Sequence, residues 1–330
     1  MQIDVFNGDA DGICALIQLR LAMPVQATLI TGVKRDIQLL EQVVVQAHDT
    51  VTVLDISLQK NRSALDRILE QDASVFYVDH HESGEIPQHA RLKAIIDTSA
   101  NTCTSLLMDQ YLGGKFRAWA VTAAFGDNLI DSAKRFSQCL SLSFSQLSQL
   151  RGLGVCLNYN GCGNTVSDLH FSPDVLYQEL VAYTSPFDYM TANGSSYQQL
   201  LAGYVQDIAK AQAIKEEYCT AVIAVYRLPD EAWARRISGV FSNELANKMP
   251  GRAHAIISYN AHGGYQISVR APLDNKAGAD ELCSLFSTGG GVKALPVLII
   301  YLLMSYPCLL PNLKKNIHKL ATNLKRNSLA

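Results

Sequence analysis

Aspartates stand directly after strand-like runs in the first part of the chain, and this arrangement limits the possible folds more than any other feature. The apolar or β-branched runs "IDVF", "QATLITG", "TVTVL" and "SVFYV" alternate with helix-like runs such as "GICALIQLRLAM" and "SALDRILEQ". Such alternation is typical of a parallel sheet with helices on both faces. Ligands of open parallel sheets bind at the carboxyl ends of the strands. The acids that follow these strands are therefore expected to meet at one edge.

The first pair of acids, Asp9 and Asp11, lies in the glycine-bracketed segment "FNGDADG". Two carboxylates this close repel each other unless a cation or a shared proton relieves the repulsion. The simpler interpretation is a helix cap, with Asp11 capping a helix that begins at Gly12. Taken alone, the pair fits either a cap or a metal site.

Further acids and two histidines follow the later strands and one helix. Asp55 ends "VTVLD", Asp79, His80 and His81 end "VFYVDHH", and Asp127 lies in "AAFGDN". Carboxylates with imidazole and no thiolate suit Mn²⁺ or Mg²⁺. So many acids at one place predict two ions, about 3.5–4 Å apart, of the kind that promote phosphoester hydrolysis.

The amino-acid composition limits the classes of substrate and the cellular compartments that are to be expected. The chain has 330 residues, enough for two domains, and a formal net charge of -2. That charge excludes an overall basic field for long duplex nucleic acid, so a nucleic-acid substrate is expected to be short. The eight cysteines form no C-x-x-C pair, which argues against a zinc or disulfide framework. With no signal peptide at the start, we expect a cytoplasmic protein.

Four motifs resemble those of the DHH phosphoesterases, in the order of that family: "FNGDADG", "VLDIS", "VDHHESG" and "AAFGDN". "YQISVRAP" and "STGGGVKA" are similar to its DHH-associated C-terminal domain, so the resemblance covers roughly residues 1–294. It implies an α/β fold with a parallel-sheet catalytic domain, a smaller α+β domain and an active-site cleft between them. The expected boundaries are 1–184 for the catalytic domain, 185–200 for a linker, 201–294 for the substrate-binding domain and 295–330 for a divergent tail.

The resemblance also implies roles for the metal-site residues. Asp9 and Asp55 are expected to hold one Mn²⁺, and Asp55 to bridge to the other. The ligands implied for the second ion are Asp11, Asp55, His80 and Asp127. Asp79 is expected to orient a histidine, and His81 to lie over the phosphate or the leaving group.

Substrate contacts implied by the resemblance lie in the C-terminal part. Arg270 is expected to contact a phosphate or a base, and Lys293 to bind substrate beside the glycine loop. The loop residues are Gly289, Gly290 and Gly291. Glycines suit this task because their backbone N–H groups can reach an anion without a Cβ in the way.

The chain departs from the family pattern at two places. Val5 stands where many relatives have a histidine ligand of the first metal, although Asn7 matches. Val292 stands where relatives have a basic residue after the glycine loop, and from Leu295, within the apolar run "ALPVLIIYLLMSYPCLLP" (294–311), the resemblance stops. Because alternative codons for this run can restore the family pattern in another frame, we hypothesise a frameshifted tail from about residue 295. The alternatives are an apolar tail that packs on the domain and a membrane anchor, for which the run is short.

These observations predict a phosphoric diester hydrolase that cleaves dinucleotides or oligoribonucleotides, with two Mn²⁺ ions, or Mg²⁺, activating a water. Two alternatives stay open: a nucleotide-binding protein with little catalysis, and a manganese-dependent inorganic pyrophosphatase. The expected partner is a short nucleotide, with neither long duplex nucleic acid nor a membrane. The sequence leaves the oligomeric state open, a homodimer included.

Overall fold

The computed structural model describes residues 1–259 and 264–273, and the backbone of 290–291 and 297–302. The chain divides into two compact units, Met1–Tyr204 and Val205–Ala330. Each unit contains its own β-sheet. Gly289, Lys293 and most of the predicted tail lie outside the described residues.

The sheet of the first unit is parallel throughout, with the strand order β2-β1-β3-β4-β5. Its strands are β1 (Gln2–Asn7), β2 (Thr28–Gly32), β3 (Thr50–Leu54), β4 (Ser74–Asp79) and β5 (Leu92–Ile96). The first four are the strands that the sequence predicts, while β5 was not predicted. This parallel sheet confirms the predicted α/β fold class.

Helices cover both faces of this sheet because its strands are apolar on both sides. On one face Val5, Val53 and Tyr77 belong to a core that includes Leu65 of helix α2 (Arg62–Glu70). On the other face the ring of Phe6 lies 5.5 Å from that of Tyr177. That face also carries α1 (Ala10–Ala22), which follows β1 directly.

The rest of the first unit is mostly helical, and its last helix continues past the unit boundary at Tyr204. The helices are α3 (Thr104–Tyr111), α4 (Arg117–Gly126), α5 (Ile130–Ser137), α6 (Phe144–Gly161), α7 (Pro173–Leu180), α8 (Pro186–Thr191) and α9 (Tyr197–Gln212). The predicted linker, 185–200, contains α8, and the side chains of Tyr189 and Met190 on it are buried. This segment therefore packs within the first unit instead of forming an exposed connection. Within the described ranges, no helix has the length and apolar character needed to cross a membrane.

The second unit contains a mixed sheet with the order β10-β11-β9-β8-β7-β6. Its elements are β6 (Tyr218–Cys219), β7 (Ile223–Arg227), α10 (Ala232–Lys248), β8 (Ala253–Tyr259), β9 (Tyr265–Arg270), β10 (Gly290–Gly291) and β11 (Val297–Leu302). Strand β11 lies in the apolar run 294–311 and pairs antiparallel with β9. That pairing corresponds to the alternative in which the run packs on this domain, and the frameshift stays a prediction.

A buried ion pair ties α1 to the first sheet. Arg20 donates from Nε to Asp4 Oδ2 (2.8 Å), and its Nη2 donates to Asp4 Oδ1 (2.5 Å) and Thr52 Oγ1 (3.2 Å). Asp4 is 1% exposed and Arg20 9%. Removing one partner of such a pair leaves an uncompensated charge in the protein interior.

We expect Arg20→Met to lower the free energy of unfolding by about 3–5 kcal/mol, because the Asp4 carboxylate stays buried without its partner. The measurement is urea denaturation followed by circular dichroism. Arg62→Met is the matched control, since Arg62 pairs with Asp66 on the surface and exposed pairs contribute about 0–1 kcal/mol. Equal losses in both variants would contradict the assignment.

Candidate metal centre

Asp9 and Asp11 are placed by the turn from β1 into α1. Asp9, not Asp11, is the N-cap: its Oδ1 accepts hydrogen bonds from the backbone N–H groups of Asp11 (2.9 Å) and Gly12 (3.2 Å). A Cβ on Gly12 would lie 2.3 Å from the carbonyl oxygen of Asn7, so only glycine fits this turn. The predicted cap at Asp11 is therefore wrong: the helix begins at Ala10 and Asp9 caps it, which leaves the Asp11 carboxylate for another role.

Backbone amides of α3 hold the Asp11 carboxylate. The N–H groups of Thr104 and Ser105 donate to its two oxygens at 2.7 Å each, and Ser105 Oγ donates to the Asp11 carbonyl at 2.8 Å. These are among the helix N–H groups that have no partner within the helix itself. They stabilise negative charge on a side chain that is fully buried.

Asp55 follows β3 with a left-handed backbone, φ 60°, a conformation that aspartate and asparagine tolerate better than most residues. Its Oδ1 accepts a hydrogen bond from Thr104 Oγ1 at 3.3 Å. Burial raises the pKa of Asp55 well above its ordinary value, and the charges of Asp11 and Asp9 raise it further. Asp55 is therefore held among like charges that a cation would relieve.

The two histidines after β4 both lie near Asp55 Oδ1, at 3.4 Å from His80 Nε2 and 3.8 Å from His81 Nδ1, but they differ in their other contacts. His80 Nε2 lies 3.4 Å from Asp55 Oδ1, 3.9 Å from Asp11 Oδ2 and 4.0 Å from Asp127 Oδ2. His81 instead contacts Asp79, with 2.7 Å between Nδ1 and Oδ1. Burial alone lowers the pKa of His81, but the Asp79 carboxylate outweighs it and the net shift is upward.

Asp127 completes the cluster from the C-terminal end of α4. Burial raises its pKa, Lys34 opposes that shift, and Asp9 and Asp11 add to it. Ligand atoms of Asp11, Cys103 and Asp127 lie within 4.8 Å of one another, and so do those of Asp55, His80 and His81. The predicted acids and histidines of the first unit are thus brought together at the carboxyl end of the sheet.

Lys34, just after β2, belongs to this cluster and was missed by sequence reasoning, as was Cys103. Its Nζ forms an ion pair with Asp9 Oδ2, lies 3.2 Å from Asp127 Oδ1 and donates to Asn158 Oδ1 at 2.9 Å. Burial by itself lowers the pKa of Lys34, but Asp9 and Asp127 raise it well above its usual range. Only the position of "K" after a strand could have indicated it.

The predicted substrate residues belong to the second unit. Arg270 is 7% exposed; its Nε donates to Asn243 Oδ1 (2.9 Å) and its Nη1 to Ser268 Oγ (2.8 Å). Gly290 and Gly291 form β10, which pairs with β11. Their predicted roles in binding substrate stay predictions.

The donor set of the first unit fits a divalent cation. Asp11, Asp55, His80 and Asp127 are oxygen and nitrogen donors of the type that Mn²⁺ and Mg²⁺ accept. Asp79 Oδ2 is buried without a hydrogen-bond partner among the described residues. Buried like charges with raised pKa values are the electrostatic signature of such a site.

The fold is shared with solved structures of an exonuclease and of a phosphodiesterase. Exonuclease RecJ bound to manganese is similar over 97% of this chain and 90% of its own, with a TM-score of 0.59 and 14% identity. The pGpG-specific phosphodiesterase PggH from Vibrio cholerae is similar over 98% of this chain and 99% of its own, with a TM-score of 0.52 and 13% identity. The chain has a DHH phosphoesterase fold.

RecJ from Thermus thermophilus in complex with Mn²⁺ has the same DHH fold, with a TM-score of 0.54 and 15% identity over 98% of this chain and 52% of its own. No protein-family model and no curated protein sequence matches the chain. The DHH fold is therefore identified by its three-dimensional similarity, together with the motifs that the sequence carries.

We expect Asp55→Asn to raise the melting temperature of the metal-free protein, because it removes one charge from a cluster of buried carboxylates. Asparagine also suits the left-handed backbone at this position. The wild type should gain about 2.7 kcal/mol when Mn²⁺ is present at 100 times its Kd, and the variant should lose most of that gain. Differential scanning calorimetry with EDTA and with Mn²⁺ measures both effects.

Asp131→Asn is the matched control, since Asp131 is an exposed aspartate of the same unit and should keep the full response to Mn²⁺. An Asp55→Asn protein that Mn²⁺ stabilises as much as the wild type would contradict the assignment of Asp55 as a ligand.

Proposed function

We propose that this protein is a metal-dependent phosphodiesterase that hydrolyses short nucleotides, such as dinucleotides or short oligoribonucleotides. One observation carries the proposal: His80 Nε2 lies within 4.0 Å of the two buried carboxylates of Asp11 and Asp55 and of the Asp127 carboxylate, which is 9% exposed. A manganese or magnesium ion held by these four residues would lower the pKa of a water molecule and neutralise phosphoryl oxygens.

His81 is suited to move the proton that the reaction requires. Its Nδ1 is engaged by Asp79, which fixes the ring and leaves Nε2 as the atom that can meet substrate. In the hydrolysis, a water oxygen bonds to phosphorus, and the bond from phosphorus to the oxygen of the neighbouring nucleoside breaks. His81 Nε2 gives a proton to that departing oxygen and is reprotonated by the proton that the attacking water loses, so that one 5′-phosphorylated dinucleotide and one water yield two mononucleotides.

Two observations support a short nucleotide as the substrate: the net charge of the chain and the activities of the proteins with similar solved structures. A net charge of -2 does not favour long polymers, whose binding depends on many cationic contacts. RecJ is an exonuclease bound to manganese, and PggH is a phosphodiesterase specific for pGpG. On this proposal, Arg270 and the backbone of Gly290 and Gly291 contact the nucleotide. Gly289 and Lys293, outside the described residues, are assigned the same role.

We also infer a cytoplasmic location. The support is the state of the cysteines, since the six in the described part of the chain are free and four of them are buried. Free thiols persist in reducing compartments.

The test is a substrate panel with the full chain and Mn²⁺: 5′-phosphorylated dinucleotides including pGpG, cyclic dinucleotides, longer RNA and pyrophosphate. We expect dinucleotides to be cleaved to mononucleotides most rapidly. His80→Ala should lower kcat/KM at least about 100-fold, because losing a ligand costs more than the roughly 10–100-fold loss of a supporting residue. His89→Ala is the control, since His89 is exposed.

The other outcomes separate the alternatives. Nucleotide binding without turnover of any substrate would favour a binding protein. Turnover of pyrophosphate alone would favour an inorganic pyrophosphatase. Equal activity of His80→Ala and wild type would overturn the assigned metal centre.

A further inference from the structure

The ammonium group of Lys34 lies among the carboxylates where the first metal ion is expected. It contacts Asp9 and Asp127, which the sequence assigns to different ions, and it donates to Asn158 Oδ1 at 2.9 Å. One lysine thus places a positive charge beside acids from both predicted ligand sets.

The backbone of Lys34 is fixed on both sides. Its N–H donates to the carbonyl of Gly161 at 2.8 Å, and its carbonyl accepts from Asn7 Nδ2 at 3.2 Å. A Cβ on Gly161 would lie 2.8 Å from the Cα of Asp9, so the end of α6 is packed closely against the β1–α1 turn. These contacts hold the lysine stem beside Asp9, although its side chain keeps 37% exposure.

The remaining ligands for a first ion are few. Asp9 Oδ1 accepts two backbone amides as the helix cap, and Oδ2 is paired with Lys34. Val5 is a fully buried apolar residue and supplies no donor. Only the bridging carboxylate of Asp55 is left from the set predicted for this ion.

The second predicted set is complete by comparison. Asp11, Asp55, His80 and Asp127 supply three carboxylates and one imidazole, and His80 Nε2 lies 3.4–4.0 Å from an oxygen of each carboxylate. A divalent ion there satisfies these groups, while a second ion near Asp9 would be repelled by the ammonium group that already contacts that carboxylate.

We infer that Lys34 replaces the first metal ion, so that this centre binds a single divalent ion with the lysine ammonium as the second cation. This inference rests on the proposed metal-dependent function, and it assigns Lys34 as the residue that sets the number of ions. Because the ammonium is tethered, its charge stays at the site when the free ion concentration is low.

In the experiment, Mn²⁺ is titrated into the metal-free full-length chain. Binding is measured by isothermal titration calorimetry and by electron paramagnetic resonance. We expect the wild type to bind one ion per chain. The Lys34→Met variant keeps the apolar stem of the side chain and removes its charge. We expect this variant to bind a second Mn²⁺ ion at least about ten-fold more tightly than the wild type binds any second ion. At saturation this variant should show the spectrum of a spin-coupled Mn²⁺ pair.

Lys60→Met is the matched control, because Lys60 is an exposed lysine of the same unit and should leave the stoichiometry at one. Two ions of similar affinity in the wild type overturn the inference whether or not Lys34→Met folds. An unchanged stoichiometry of one in a folded Lys34→Met also overturns it. In both cases turnover in the substrate panel can persist, whereas absence of Mn²⁺ binding in every protein overturns the proposed function and this inference with it.

Discussion

Repulsion among buried carboxylates is the constraint on which the rest of the first unit depends. Asp9, Asp11 and Asp55 are buried and share one cluster with the half-buried Asp127, although the four come from three separate parts of the chain. Such a cluster folds only if positive charge or hydrogen-bond donors offset it. The backbone amides of α3 donate hydrogen bonds to Asp11, and the ammonium group of Lys34 forms ion pairs with Asp9 and Asp127. Asp55 has the least such support and its pKa is raised well above the ordinary value, which is why the cluster still favours a bound cation.

Much of the first unit could be predicted because the sheet is parallel. Four strands and the acids after them follow from alternating apolar runs, and parallel strands bring their carboxyl ends to one edge. β5 was missed because "LKAII" is a short run that periodicity cannot assign. α8 was read as linker because the proline and polar residues in "SPFDYMTANGSS" resemble turn signals, although Ser185 and Pro186 also form a helix start.

The acids and histidines of the site could be predicted because motifs carry them, whereas their supports could not. Thr104 and Ser105 donate to Asp11 from a helix start far along the chain. Lys34 meets Asp127 and Asn158 only after α4 and α6 have packed. Nothing within "TGVKRD" indicates those partners. Local sequence therefore predicts which groups carry charge, and tertiary packing decides which of the charges neutralise one another.

If Lys34 replaces the first ion as inferred, the two oxygens of Asp9 have different roles. Oδ1 caps α1 and keeps that role whichever cation is near. The Oδ2 atom of Asp9 can bind either the ammonium group of Lys34 or a free metal ion. A tethered group acts at an effective concentration in the millimolar range, so an ion present at micromolar levels displaces it only with strong additional ligands. Val5 is apolar and provides no such ligand. The Lys34 ammonium therefore stays at Asp9 Oδ2 because it is tethered nearby, more than because it binds the carboxylate strongly.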